Sequence, residues 1–292
     1  MNEVSYEEWL SRRMTMVTAS ELAALCGCDP YRRTPVDLYV QKKTGKQLDD
    51  TIAMRIGRKM EQPAVDLYHE ETGRQVKDPG QWTMSIHPDL PRFGATLDRL
   101  TECPDIGWIP LEAKNAGAFK IREWSDGLPL GFQIQLNGQM ACEQSKMGAY
   151  CGIIGGTDFR YGDIYRNDKF IESCLPIIDK FLWHLDNDIM PPITAPSDLG
   201  AVKLLHPDDN GTTVALDRVS LMWADLIDNI KSSEKNIKAN KDLAEAWLRS
   251  AIGDATFGAL PDGSILSLKT TSAKGYTKVM KPNKYRVLRR SK

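Results

Sequence analysis

Tyr6–Arg13 is short and amphipathic, and Thr18-Ala-Ser20-Glu21 then has the spacing of a capping box, predicting a small helix that closes at Gly27. Thr34-Pro35 gives the cap-then-proline signal before a helix over Val36–Lys43, ended by Gly45. From Thr51 to about Glu71, Ile52, Ile56, Met60, Ala64, Val65, Leu67 and Tyr68 recur at helical spacing, with Pro63 expected to kink or restart the helix. After Gly73 the period shortens. Gln81–Ile86, Phe93–Leu100 and Trp108–Ala113 read as strands bounded by Pro and Gly. A helix over Gly131–Lys146, strands over Ala149–Gly155 and Asp158–Tyr165, and a helix over Asp168–Asp188 complete an α/β pattern ending near residue 195.

The Pro-rich stretch Pro191–Gly200 marks a boundary, dividing the chain into a core, 1–195, and an accessory region, 196–292. The accessory region reads as one long helix, Val219–Ala251, and a hairpin turned by Leu260-Pro-Asp-Gly263. Its Trp and Leu positions at helical spacing suit a core, a subunit interface or a groove for a protein partner. A basic tail follows: residues 264–292 hold nine Lys or Arg and no Asp or Glu, so the other residues carry 29 basic and 39 acidic side chains. A basic tail on an acidic body suits a polyanionic partner or simple solubility.

Composition narrows the class. At 41% hydrophobic and 26% charged over 292 residues, the chain is ordinary globular usage, which excludes a disordered, collagenous or disulfide-scaffold protein. The start of the chain has acids and no apolar core, so no signal peptide is expected, and six scattered Cys fit a reducing cytoplasm. Cys26-Gly-Cys28 lacks zinc-knuckle spacing, Cys142, Cys151 and Cys174 are too scattered for an iron–sulfur cluster, the four His form no ligand pair, and Gly152–Gly156 lacks the P-loop Lys.

Chemistry concentrates in Gly94-Ala-Thr-Leu-Asp98 and Leu111-Glu-Ala-Lys114. Strand alternation puts Glu112 and Lys114 on one face, and Asp98 joins them if the two strands pair. Two carboxylates at strand ends supply the hard oxygens that Mg²⁺ or Mn²⁺ prefers, and a lysine beside them can orient or deprotonate water. The same residue types also occur on solvated sheet edges. Glu61, beside Pro63, and Gln133 and Gln135, at the start of the next helix, are the further candidates.

Four ordered stretches, Arg13…Thr18-Ala-Ser20-Glu21, Gly57-Arg-Lys-Met-Glu61, Thr96-Leu-Asp98 with Leu111-Glu-Ala-Lys114, and Phe132-Gln-Ile-Gln135, together resemble the phage lambda exonuclease or YqaJ-type viral recombinase nucleases, within the PD-(D/E)XK superfamily. The resemblance spans roughly residues 10–190 and implies a restriction-endonuclease-like α/β core, a central mixed sheet flanked by helices, with a C-terminal helix and hairpin extension. It implies Asp98, Glu112 and the carbonyl of Ala113 as metal ligands, with Glu61 completing the charge network through a second ion or water. Lys114 would position or activate the attacking water, and Gln133 would support that lysine or the nucleotide. Arg13 and Ser20 would bind a 5′-terminal phosphate, assisted by Thr96, with Gln135 on the DNA side. Leu97 stands where the superfamily name expects Pro.

The implied activity is Mg²⁺-dependent 5′→3′ digestion of duplex DNA that leaves 3′ overhangs for phage-type recombination, with Mn²⁺ able to substitute. The implied partners are DNA ends and a single-strand annealing protein of the Beta or RecT type, and the implied assembly is a ring-shaped trimer in the host cytoplasm. Two other readings stay open: a structure-specific or single-strand nuclease of the same fold, and an inactive DNA-binding or scaffold protein.

Overall fold

Caps and turn glycines set the helix limits of the N-terminal part. Ser5 accepts from the Glu8 amide at the start of α1, Tyr6–Thr15. Glu21 accepts from the Thr18 amide (2.9 Å) at the start of α2, Ala19–Leu25. Thr34 and Asp37 bond each other's amides across the first turn of α3, Pro35–Thr44, and Gly45 closes it with φ 63°. Helix α4, Ile52–Thr72, runs as one element through Pro63. Pro63 and Lys59, whose carbonyl loses its donor, are both exposed, so water can satisfy that oxygen and the expected restart is not needed. This computed structural model describes residues 5–45, 51–80, 82–272, 275 and 285–290. Its contacts divide the chain into two compact units, Met1–His206 and Pro207–Lys292.

Two sheets build the first unit. Strands β1, Val17–Thr18, β3, Ser85–Ile86, and β4, Phe93–Ala95, form a three-stranded sheet in the order β1-β4-β3. Gln81, where the sequence begins its strand, lies outside the described residues. Strands β2, Val76–Lys77, β5, Arg99–Cys103, β6, Gly107–Ala116, β7, Met147–Ile154, and β8, Asp158–Tyr165, form a mixed sheet in that order. Only its β6–β7 pair is parallel, with Leu111 opposite Ala149 and Ala116 opposite Ile154. The parallel return is made by a 3₁₀ turn, Ala118–Trp124, and by α5, Leu130–Glu143.

The single strand expected over Phe93–Leu100 is two strands in two sheets. The chain leaves β4 at Ala95 and enters β5 at Arg99, so Thr96, Leu97 and Asp98 lie between the ladders. Arg99 still pairs with Leu111, but beyond it the Ala113 amide donates to the Asp98 carboxylate (3.0 Å). A side chain has taken the place of the next ladder bond.

Every residue of β7 is buried, which marks it as the central strand and explains its lack of alternation. On one face Ala64, Val65 and Tyr68 of α4 pack on Ile109, Leu111, Ala113, Ala149 and Cys151. On the other, Leu136 and Met140 of α5 pack with Trp124, Tyr150 and Ile154. A third cluster joins α2, α3 and β4 to α6, Asp168–Asp186.

The first unit runs beyond the expected limit at 195. Asp198 is wholly buried, accepting from the Thr34 hydroxyl (2.6 Å) and from the Thr194 and Ala195 amides (2.9 and 3.0 Å), and so starts α7, Asp198–Leu205, against α3. A Pro-rich stretch with one acid gave no periodic signal for this helix. The second unit has α8, Arg218–Ile252, and the expected hairpin, β9, Phe257–Ala259, with β10, Ile265–Ser267. Five of its nine tail cations, Lys274, Lys278, Lys281, Lys284 and Lys292, lie outside the described residues; Arg290 pairs with Asp225 (2.7 Å) and Asp228 (3.0 Å) of α8. Among the described residues no helix is long and apolar enough to cross a membrane.

The first unit has one buried ion pair that sequence periodicity does not reveal. Lys42 of α3 donates to both oxygens of Glu21 (2.9 Å each) and to the Arg13 carbonyl (2.7 Å), tying α1, α2 and α3 together. Lys42→Met strands the Glu21 charge and should cost about 3–5 kcal/mol. Combining it with Glu21→Gln should recover much of that loss, as read by chemical denaturation.

Candidate active site

Glu112 is the most constrained side chain of the site. It is 0% exposed at the middle of β6, and its even-numbered face turns toward α5. Gln135 donates to one of its oxygens and Gln139 to the other, at 2.5 Å each. Lys114, two residues along the same face, forms an ion pair with it. Burying a carboxylate is tolerable only with such pairing. Gln135 and Gln139 are four apart on α5 and so share a helix face, which carries both amides to one carboxylate.

The opposite result holds for Gln133. Two positions before Gln135 it lies about 200° around the helix, and its amide donates to the Leu128 carbonyl (2.5 Å). The expected support of Lys114 therefore falls to other residues: Glu112 pairs with it, and its ammonium lies 5.2 Å from the centre of the Phe132 ring. Gln135, expected on the DNA side, holds Glu112. Gln139 was missed altogether, although its i+4 spacing from Gln135 was a usable signal. It is buried, and its carbonyl oxygen has no hydrogen-bond partner.

Asp98 completes the core of the site through its bond from the Ala113 amide. Burial, and then the negative charge of Glu112, push its carboxyl up to about 7, against the pull of Lys114. Burial also raises Glu61 of α4, where Lys114 acts downward, Glu112 upward, and Arg99 and Arg58 downward. Glu61 thus stands within electrostatic reach of Lys114 and Glu112. Burial alone would lower Lys114, but Glu112 and Asp98 outweigh it and hold its pKa above the usual lysine value. Lys114 is therefore an ammonium here, suited to orienting water and offsetting charge rather than accepting a proton.

Among the described residues no group of three or more His, Cys, Asp and Glu side chains is arranged to hold a metal ion. What stands together is a pair of carboxylates, Asp98 and Glu112, beside the Ala113 peptide, with Glu61 farther off. The chemistry of this set fits a hard divalent cation: it offers oxygen donors, and burial together with the neighbouring carboxylates raises the Asp98 carboxyl.

The residues expected to hold a terminal phosphate cluster around α1 and α2. The Arg13 guanidinium stacks on the Trp9 ring at 4.6 Å, and the Trp9 indole donates to the Thr96 hydroxyl (3.0 Å). Ser20 shares a hydroxyl contact with Thr18 (3.1 Å), and its carbonyl accepts from Arg33 (2.7 Å), which also pairs with Asp29. Burial lowers Arg13, with Glu21 acting upward and Arg33 downward. Burial would raise Glu21, but Lys42 and Arg13 together hold it below the usual carboxylate value. Since Lys42 and Arg33 each have a carboxylate, Arg13 carries the charge that no described ion pair neutralises. Trp9 and Arg33 were not anticipated; Trp9 lies four before Arg13, one helical turn away.

A mixed sheet with an aspartate entering one strand, Glu-x-Lys on its neighbour and a helix on either face has the fold of the PD-(D/E)XK-type exonucleases. Residues 8–149 match the family described as the YqaJ-like viral recombinase domain. Two solved structures are similar to the chain at 27% identity, covering 62% of it and 93% of their own lengths. They are an alkaline exonuclease from Laribacter hongkongensis, LHK-Exo, with a TM-score of 0.50, and LHK-Exo in complex with dAMP, with a TM-score of 0.51. No curated protein matches the sequence.

The raised Asp98 carboxyl has a stability consequence. Its folded pKa, about 7, exceeds the ordinary 3.8, so the folded state binds the proton more tightly than the unfolded one. Metal-free protein should therefore lose stability as pH rises from about 4 through 7. Asp98→Asn should remove that loss and raise the melting temperature in EDTA at pH 7.5, while abolishing cleavage. Melting curves of both proteins from pH 5 to 8 check this.

Proposed function

We propose that this chain is a divalent-cation-dependent 5′→3′ exonuclease that digests one strand of duplex DNA from its end, leaving a 3′ single strand for recombination. The observation that carries the reading is the convergence of Asp98, Glu112 and Lys114, linked through Thr96-Leu97-Asp98 to the Arg13 cluster. A hydrolytic site and a cationic, hydroxyl-bearing pocket thus meet on one short piece of chain. The LHK-Exo neighbour is an alkaline exonuclease seen with dAMP, a deoxynucleotide, which supports a nucleotide-sized product here.

In this reading Asp98, Glu112 and the Ala113 carbonyl hold Mg²⁺, or Mn²⁺ in its place, and Glu61 acts through water or a second ion. The bound cation supplies Lewis-acid polarisation of the phosphate and a more acidic water. Gln135 and Gln139 keep both Glu112 oxygens aimed. The Lys114 ammonium orients the attacking water and offsets charge building on the phosphate oxygens. Arg13 binds the 5′-terminal phosphate with the Ser20 hydroxyl. Thr96, whose oxygen already accepts from Trp9, has its own O–H left to donate. The family further implies a ring-shaped trimer and delivery of the 3′ strand to an annealing protein of the Beta or RecT type in a bacterial cytoplasm.

The test is digestion of a linear duplex labelled on one strand, with 5′-phosphate or 5′-hydroxyl ends, in Mg²⁺ or in EDTA. The expected result is Mg²⁺-dependent loss of the 5′-phosphorylated strand. Nicking of circular DNA would replace the exonuclease with a structure-specific nuclease, and no cleavage of any DNA would leave an inactive binding protein. Lys114→Ala should lower cleavage by on the order of 10²–10³-fold or more while duplex binding persists in a filter or gel-shift assay. Arg13→Ala should instead erase the preference for a 5′-phosphate, bringing the two substrates to similar rates.

A further inference from the structure

We infer that α8 pairs with α8 of a second copy of this chain, antiparallel and about a twofold axis. The helix is 35 residues long, and none of its side chains is buried. Positions alternating four and three apart trace one seam along it: Val219, Trp223, Leu226, Ile230, Ser233, Ile237, Asn240, Ala244, Trp247 and Ala251. The large members lie open, with Trp223 64%, Ile237 67% and Trp247 72% exposed. An apolar stripe of this length marks an interaction surface.

Part of the remaining circumference is already occupied. Leu288, Arg289 and Arg290 line a cavity of about 520 Å³ with Leu221, Ala224 and Lys231, and Arg290 pairs with Asp225 and Asp228. Those helix positions lie off the seam, toward its back. Among the described residues of the second unit, the tail segment therefore closes one side of the N-terminal half of α8 and leaves the seam uncovered.

The charge and size pattern selects the occupant and its direction. In an antiparallel pair, seam residues meet across the axis in fixed couples, and flanking residues meet their own kind of position on the partner. One register sets Ile237 opposite the partner's Asn240, Ile230 opposite the partner's Trp247, Ser233 opposite the partner's Ala244, and Leu226 opposite the partner's Ala251. The charged flanking couple that follows is Glu234 with the partner's Lys241, so opposite charges meet on both sides of the axis. Both Asn240 side chains fall in the two layers beside the axis, where a buried polar residue fixes register. A parallel pair would set Glu234 against the partner's Asn229 and lose the charge match.

Sedimentation of full-length protein tests this through charge reversal. Lys241→Glu alone places like charges together twice in a homodimer, as does Glu234→Lys alone, and each should weaken α8-dependent association by roughly tenfold or more. An equimolar mixture of the two variants restores both opposite-charge couples and should recover the wild-type association. Ile230→Asp with Ile237→Asp should abolish it, with α8 still helical by circular dichroism. Association through the first unit is insensitive to all of these changes, and so is cleavage of a DNA end by the Asp98 site. A wild-type chain whose association no variant alters, or single reversals that weaken it without rescue on mixing, would overturn the antiparallel pairing.

Discussion

A carboxylate with no exposed surface is tolerated only where hydrogen-bond donors and an opposite charge meet it, and Glu112 is the point where this chain meets that demand. Gln135 and Gln139 reach it from α5 and Lys114 from its own strand, so the packing of α5 on the central sheet and the geometry of the site are the same contact. Gly148 of β7 lets α5 come close to the central sheet, since a Cβ there would stand 2.8 Å from Leu136 and 3.2 Å from Met140. Gly138 does the same on the other side of the helix, where a Cβ would stand 3.0 Å from Ala19 of α2 and 3.2 Å from Phe93 of β4. Core packing thus sets the distance at which the polar groups meet.

The second organising feature is the handover between sheets at Thr96-Leu97-Asp98. Because β4 belongs to one sheet and β5 to another, the three residues between them have no ladder partners of their own and spend their side chains instead. Thr96 turns to Trp9 and so to Arg13, Leu97 enters the core, and Asp98 takes the Ala113 amide. One break in a strand therefore connects a cationic cluster with an acidic one.

These clusters are electrostatically unequal. Around Glu21 the bases are in excess: Lys42 satisfies the carboxylate, and no described ion pair neutralises Arg13. Around Glu112, Asp98 and Glu61, burial and then the mutual repulsion of the acids outweigh what Lys114 offsets, and the Asp98 carboxyl is raised. Sites that destabilise their own charge in this way are common where a ligand completes the balance.

Local patterns alone determined a good part of this protein. Thr34-Pro35, Gly45, Gly73 and Leu260-Pro-Asp-Gly263 act through capping and turn geometry within a few residues, so the helix ends and the hairpin were legible. Alternation likewise placed Glu112 and Lys114 on one face, and Asp98 with them once pairing is assumed. What was not legible depends on contacts distant in sequence. The split of Phe93–Leu100 follows from which strands flank each half, and α7 follows from Asp198 finding Thr34, 164 positions away. The choice of Gln135 and Gln139 over Gln133 depends on how α5 is rotated against β6, a property of packing that no single-helix pattern contains. Periodicity names the faces a segment can present, and only the assembled core decides which face meets which partner.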